Sequence, residues 1–82
     1  MGCLIVFRSV TYAQNAQNLL GKHHISTVIT RPPAELAKGG CSYALRLREG
    51  DMEAALAVLR RSPVAYTGAF CPQGRNWREV GV

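Results

Sequence analysis

The residues with the most chemistry in this sequence are its three cysteines, Cys3, Cys41 and Cys71. A cysteine acts as a nucleophile through its thiolate, which a nearby cation or helix N-terminus favours. Cys41 has suitable neighbours in the chain. Gly39 and Gly40 directly precede it, leave its thiol unshielded and offer backbone N–H groups. Upstream, Arg31-Pro32-Pro33 supplies a cation and stiffens the approach. The plainer alternative is that Cys41 is a small hydrophobe opening a strand, because free cysteine is often simply buried. Cys3 lies inside the apolar run Cys3-Leu4-Ile5-Val6-Phe7, where a packing role is expected. Cys71-Pro72 is similar to the Cys-Pro start of some sulfur-transfer sites, yet no helical pattern follows it. A position at a strand end, close to Cys3, is the expected one.

Other chemistry is missing from the sequence. There is no CxxC pair of the kind zinc sites use. His23 and His24 are adjacent, so their side chains are expected to point apart, with no third ligand near in sequence. They read as polar loop residues that complement a helix C-terminus, and no metal site is expected. No Walker or Rossmann glycine loop, GxSxG motif or paired-carboxylate cluster is present. These absences leave no motif for a bound cofactor or for those catalytic machineries.

An odd, widely spaced set of cysteines argues against a secreted disulfide framework. Three free thiols in a reducing compartment are expected. A Cys3–Cys71 disulfide is geometrically conceivable but disfavoured in the cytosol. No apolar run approaches the ~20 residues that span a bilayer, and no cationic leader precedes Met1–Phe7. A cytoplasmic location follows as the expectation. The formal net charge of +5 comes from scattered basic residues. It favours an anionic or acidic partner, or reflects only a solvated basic surface.

The elements that must position Cys41 are legible from periodicity. The chain has 82 residues, 48% hydrophobic and 18% charged, which is enough for one small globular domain. Cys3–Phe7 reads as a central strand covered on both faces. Ser9 or Thr11 is placed to cap a helix whose apolar stripe is Val10, Ala13, Ala16, Leu19 and Leu20, with Gly21 as its stop. Ile25–Thr30 reads as a second strand. Residues 34–38 allow one helical turn, and Tyr43, Leu45 and Leu47 alternate as a third strand with one apolar face. Asp51 is placed to cap a second helix, buried through Ala54, Ala55, Leu56, Val58 and Leu59. Val64–Phe70 reads as the fourth strand. Residues 1–70 thus form one domain, and 71–82, around Trp77, read as a C-terminal tail without periodicity.

The order strand–helix–strand–strand–helix–strand gives an α+β fold, a ferredoxin-like sandwich with two helices on one face of a four-stranded antiparallel sheet. Its spatial strand order is 4-1-3-2. Cys41 is then expected near Arg8, Ser9 and the first helix's N-terminus, with Arg8 or Arg31 as the stabilising cation. Cys3 and Cys71 are expected together at the opposite end.

The stretch Lys38-Gly39-Gly40-Cys41-Ser42-Tyr43-Ala44-Leu45-Arg46, with Phe7, Ser9 and the Arg31-Pro32-Pro33 break, resembles the selenium/sulfur carrier-like family of short bacterial proteins. That family commonly has glycine directly after this cysteine, where Ser42 stands here. The resemblance implies a carrier role for Cys41, more than a catalytic one, as a persulfide or selenide adduct that needs no bound cofactor, with a donor and an acceptor protein as partners. The alternative is a binding or assembly module with Cys41 structural. In that reading the sheet face away from the helices meets a second copy in a homodimer. A redox sensor at Cys41 lacks an obvious resolving cysteine. Nucleic acid is not an expected partner, because the third strand offers only Tyr43 for base stacking.

Overall fold

The computed structural model describes residues 2–37 and 42–80. The first strand, β1 (Cys3–Phe7), is buried throughout. Its neighbours explain why every residue in it is apolar. It pairs antiparallel with β3 (Tyr43–Leu47) on one side and β4 (Gly68–Gln73) on the other. Cys3, Ile5 and Phe7 face the two helices, while Leu4 and Val6 enter a second cluster on the opposite face. The expectation of a central strand covered on both sides therefore holds.

Helix α1 (Val10–Lys22) starts where the Ser9 hydroxyl accepts the Tyr12 N–H at 3.3 Å. Ala13, Ala16 and Leu20 form its buried stripe. Gly21 does not stop this helix, contrary to its expected role. The chain reverses two residues after the helix ends, with His24 at φ 63. The Ile25 N–H donates to the Leu20 carbonyl and the His24 N–H to the Gly21 carbonyl, each at 3.0 Å. This pair of bonds is a Schellman cap with a non-glycine residue in the left-handed position. Ile25 and Leu20 both enter the helix-side core, supplying the apolar contact that accompanies the motif.

The cap shortens the next strand. Ile25 serves the helix end, so β2 spans only Val28–Thr30 rather than 25–30. Of the helical turn expected over 34–38, whose residue 38 lies outside the described residues, a turn at 34–36 forms: the Pro33 carbonyl accepts from the Leu36 and Ala37 N–H groups at 2.9 and 3.1 Å. The second helix, α2 (Glu49–Arg60), begins before Asp51, with Arg48 as N-cap and no side-chain cap bond. Asp51 instead pairs loosely with Arg48, its Oδ2 3.7 Å from Nε. Met52, Ala55, Leu56 and Leu59 follow the i, i+3, i+4, i+7 spacing of a buried stripe, joined by Val58. Ala54 falls outside that stripe and is exposed, in place of its expected burial.

Among the described residues the sheet has five strands, in the order β2-β3-β1-β4-β5, all antiparallel. This corrects the four-stranded expectation: β5 (Asn76–Glu79) lies against the outer edge of β4. The stretch expected to be a tail supplies the end of β4 and all of β5, the latter through a two-residue turn at Gly74-Arg75. Gly74 has φ +60, the sign this turn demands of its first central residue and one that glycine adopts without steric cost. The fourth strand also starts later than residue 64. Pro72 is tolerated within it because it lies beyond the residues of β4 that pair with β1.

The face away from the helices is not bare. Leu36 buries itself there with Leu4, Val6 and Ala44, and Phe70 and Trp77 pack against that group. Neither helix among the described residues is long and apolar enough to cross a membrane.

Candidate functional site

Gly39, Gly40 and Cys41 lie outside the described residues. The frame on either side of them is described. Ser42 is buried, and Tyr43, two residues after Cys41, opens β3 directly opposite Phe7. Arg8 and Ser9 follow Phe7 at the end of β1. Thr30 ends β2 opposite Ala44, and Arg31 follows it. The fold therefore brings Arg8, Ser9 and Arg31 to one end of the sheet, where β3 starts.

Two of these residues already have structural engagements. The Ser9 hydroxyl is committed to the α1 cap. The Arg31 guanidinium carbon stands 4.9 Å from the centroid of the Tyr43 ring, a cation–π contact. Arg8 is exposed. The contact between Arg31 and Tyr43 was not anticipated from the sequence. Its signal was present in the aromatic residue at the start of a strand and the arginine at the end of another, but pairing them requires the β2–β3 register.

The other two cysteines are joined to each other. Cys3 and Cys71 form a disulfide across β1 and β4, with 4.3 Å between their Cα atoms. This overturns the expectation of three free thiols. The physical reason is register. The β1–β4 ladder pairs Leu4 with Phe70 and Ile5 with Ala69, and one step further brings Cys3 opposite Cys71. Directly opposed residues that do not exchange backbone hydrogen bonds lie about 4.5 Å apart at Cα. Both cysteines are almost fully buried in the helix-side core. His23 and His24 are exposed and belong to the C-terminal end of α1. Among the described residues, no cluster of three or more potential metal ligands forms.

The family model described as "Putative Se/S carrier protein-like" matches residues 2–71. The chain belongs to this family. The match runs from β1 to Cys71, so it takes in Cys41 and both bridge cysteines and leaves β5 beyond it. No curated protein and no solved structure matches the chain. Membership in the Se/S carrier-like family gives the α+β domain a coarse functional heading, chalcogen carriage, and a carrier requires a donor and an acceptor.

Proposed function

We propose that this member of the Se/S carrier-like family carries sulfur or selenium covalently on Cys41. The observation that supports it best is the Cys3–Cys71 bridge. A cysteine in a disulfide has no thiolate to load. With two of three cysteines bonded to each other, Cys41 is the remaining thiol of the matched segment. The same bridge weakens the redox-sensor reading, because it occupies both cysteines that would resolve a sulfenic acid at Cys41.

The loading step is an exchange without net oxidation. The Cys41 thiolate attacks the outer sulfur of a donor persulfide, R–S–SH. A new S–S bond forms on Cys41 and the donor's S–S bond breaks. The departing donor thiolate takes the proton of the transferred –SH, leaving a persulfide anion on Cys41. A donor R–S–SeH delivers selenium by the same exchange. In sequence, Gly39 and Gly40 bring no side chains that could shield the thiol, and Arg8 or Arg31 supplies the positive charge that favours the anion.

The test is intact mass and peptide mapping, without reductant, after incubation with cysteine and a cysteine desulfurase. One added sulfur on the peptide holding Cys41, absent from Cys41→Ser and removed by dithiothreitol, is expected. An adduct that persists in Cys41→Ser, or none on a Cys41 that alkylates readily, overturns the proposal. The assembly-module reading has less support. The sheet face it relies on is occupied by Leu36 and Trp77 and carries arginines, which repel one another in a symmetric pairing.

A further inference from the structure

The sheet face opposite the helices holds a cleft of about 360 Å³ whose walls come from four separate parts of the chain. Leu4 of β1, Pro72 of β4 and Trp77 of β5 form its apolar side. Arg46 of β3, Arg75 of the β4–β5 turn and Arg31 after β2 line it as well. Arg46 stands opposite Leu4 in the sheet register, which sets it on the same face as that apolar side. Its side-chain stem packs over Gly2, where a Cβ would come within 2.7 Å of Arg46 Cγ. The cleft thus depends on the missing side chain at residue 2.

Among the described residues, no carboxylate lines this cleft. All five acidic side chains of the sequence lie elsewhere, three of them on α2. The ion pairs described involve Arg48 and Arg78, neither of which lines the cleft. Arg46 and Arg75 are exposed. Guanidinium groups present planar, forked donors that suit an oxyanion, and an indole ring offers a flat apolar wall. The volume falls at the lower end of the range for small-molecule sites, which favours a small ligand over a macromolecular surface.

The geometry points to a binding site for a small aromatic oxyanion, with its ring against Trp77, Leu4 and Pro72 and its anionic group on Arg46 and Arg75. A nucleoside monophosphate is the simplest representative of that chemistry. The site needs no chemistry from Cys41 and stands whether or not Cys41 carries a chalcogen.

Trp77 is the only tryptophan in the sequence, so its fluorescence reads the cleft directly. The full-length protein is titrated with AMP, with adenosine and with inorganic phosphate, and amide chemical shifts are followed in parallel. AMP is expected to change Trp77 emission and to bind about 10-fold or more tightly than either fragment alone. Arg46→Ala and Arg75→Ala should each weaken AMP about 10-fold, as loss of a charged hydrogen-bond partner does. Arg48→Ala and Cys41→Ser should leave it unchanged. Circular dichroism confirms that each variant is folded. The inference is overturned if AMP leaves Trp77 and the cleft amides unperturbed, if phosphate alone binds as well as AMP, or if both arginine variants bind normally. A single-stranded oligonucleotide binding far more tightly than AMP also overturns it, by making the face a strand-binding surface.

Discussion

At the scale of single residues, backbone conformation gives the sharpest expectations. Gly21 sits within the last turn of α1, and a Cβ there meets nothing within 4 Å. Glycine in a helix costs roughly 0.5–1 kcal/mol relative to alanine. Gly21→Ala should therefore raise stability by about that amount in urea unfolding. A loss would mean that Gly21 is needed for the turn after all. His24 holds the left-handed conformation that glycine adopts most easily, so His24→Gly should not destabilise the domain. Gly2 is the opposite case. A Cβ there would come within 2.8 Å of the Leu47 carbonyl oxygen, a backbone atom that cannot swing aside. Gly2→Ala should lower stability by about 1–3 kcal/mol, as overpacking does. It should also disturb Arg46, which a change in AMP affinity would reveal. Gly21 was legible as a residue near a helix end but not as an interior residue. Which residue reverses the chain depends on where Ile25 finds its contact with Leu20.

At the scale of elements, the β1–β4 pair is held by more than its ladder. The bridge closes a loop with a sequence separation of 68. A disulfide across such a span stabilises chiefly by restricting the unfolded chain, typically by 2–4 kcal/mol. The double variant Cys3→Ala/Cys71→Ala is expected to lose about that much, with Cys41 unchanged in its reactivity towards alkylation. A double variant as stable as the parent, under non-reducing conditions, would show that the bridge contributes nothing. The turn at 34–36 is the other small element with a large consequence. It delivers Leu36, 8% exposed, onto Leu4, Val6 and Ala44. Leu36→Ala should cost about 2 kcal/mol or more, the lower end for a buried leucine. If the cost is near zero, the turn only grazes the sheet. The turn itself was readable from Pro32-Pro33. Its docking was not, because that depends on which sheet face is left without a helix.

At the scale of the whole molecule, the sheet has helices on one face and chain segments on the other. The radius of gyration of 11.4 Å is close to the ~11.7 Å expected for a compact domain of this length. A domain this small has little core to spare, so a covalent bridge and a second cluster on the reverse face both matter. Glu49, Asp51 and Glu53 sit on α2, and Arg46 and Arg75 line the opposite face. Trp77 belongs to the fifth strand of the same sheet. Unfolding followed by Trp77 fluorescence should therefore coincide with unfolding followed by far-ultraviolet circular dichroism. An earlier Trp77 transition would mean that β5 is a separately melting appendage rather than part of the domain.

The sequence by itself determined what depends on local pattern. Five consecutive apolar residues at Cys3–Phe7 required a strand covered on both faces, and the helical stripes at Ala13, Ala16 and Leu20 and at Ala55, Leu56 and Leu59 set which sides turn inward. The Gly-Gly-Cys stretch singled out Cys41, and the family match includes it. Only the tertiary structure decided what depends on register and pairing. Strand β5 is polar apart from Trp77 and gains its order from hydrogen bonds to β4, so no periodicity announced it. The expected strand order already put Cys3 near Cys71, but the bond follows from the β1–β4 register, which sequence spacing does not encode. The cleft joins residues 4, 31, 46, 72, 75 and 77. These lie far apart along most of the chain and meet only because antiparallel pairing stacks β1, β3, β4 and β5 side by side.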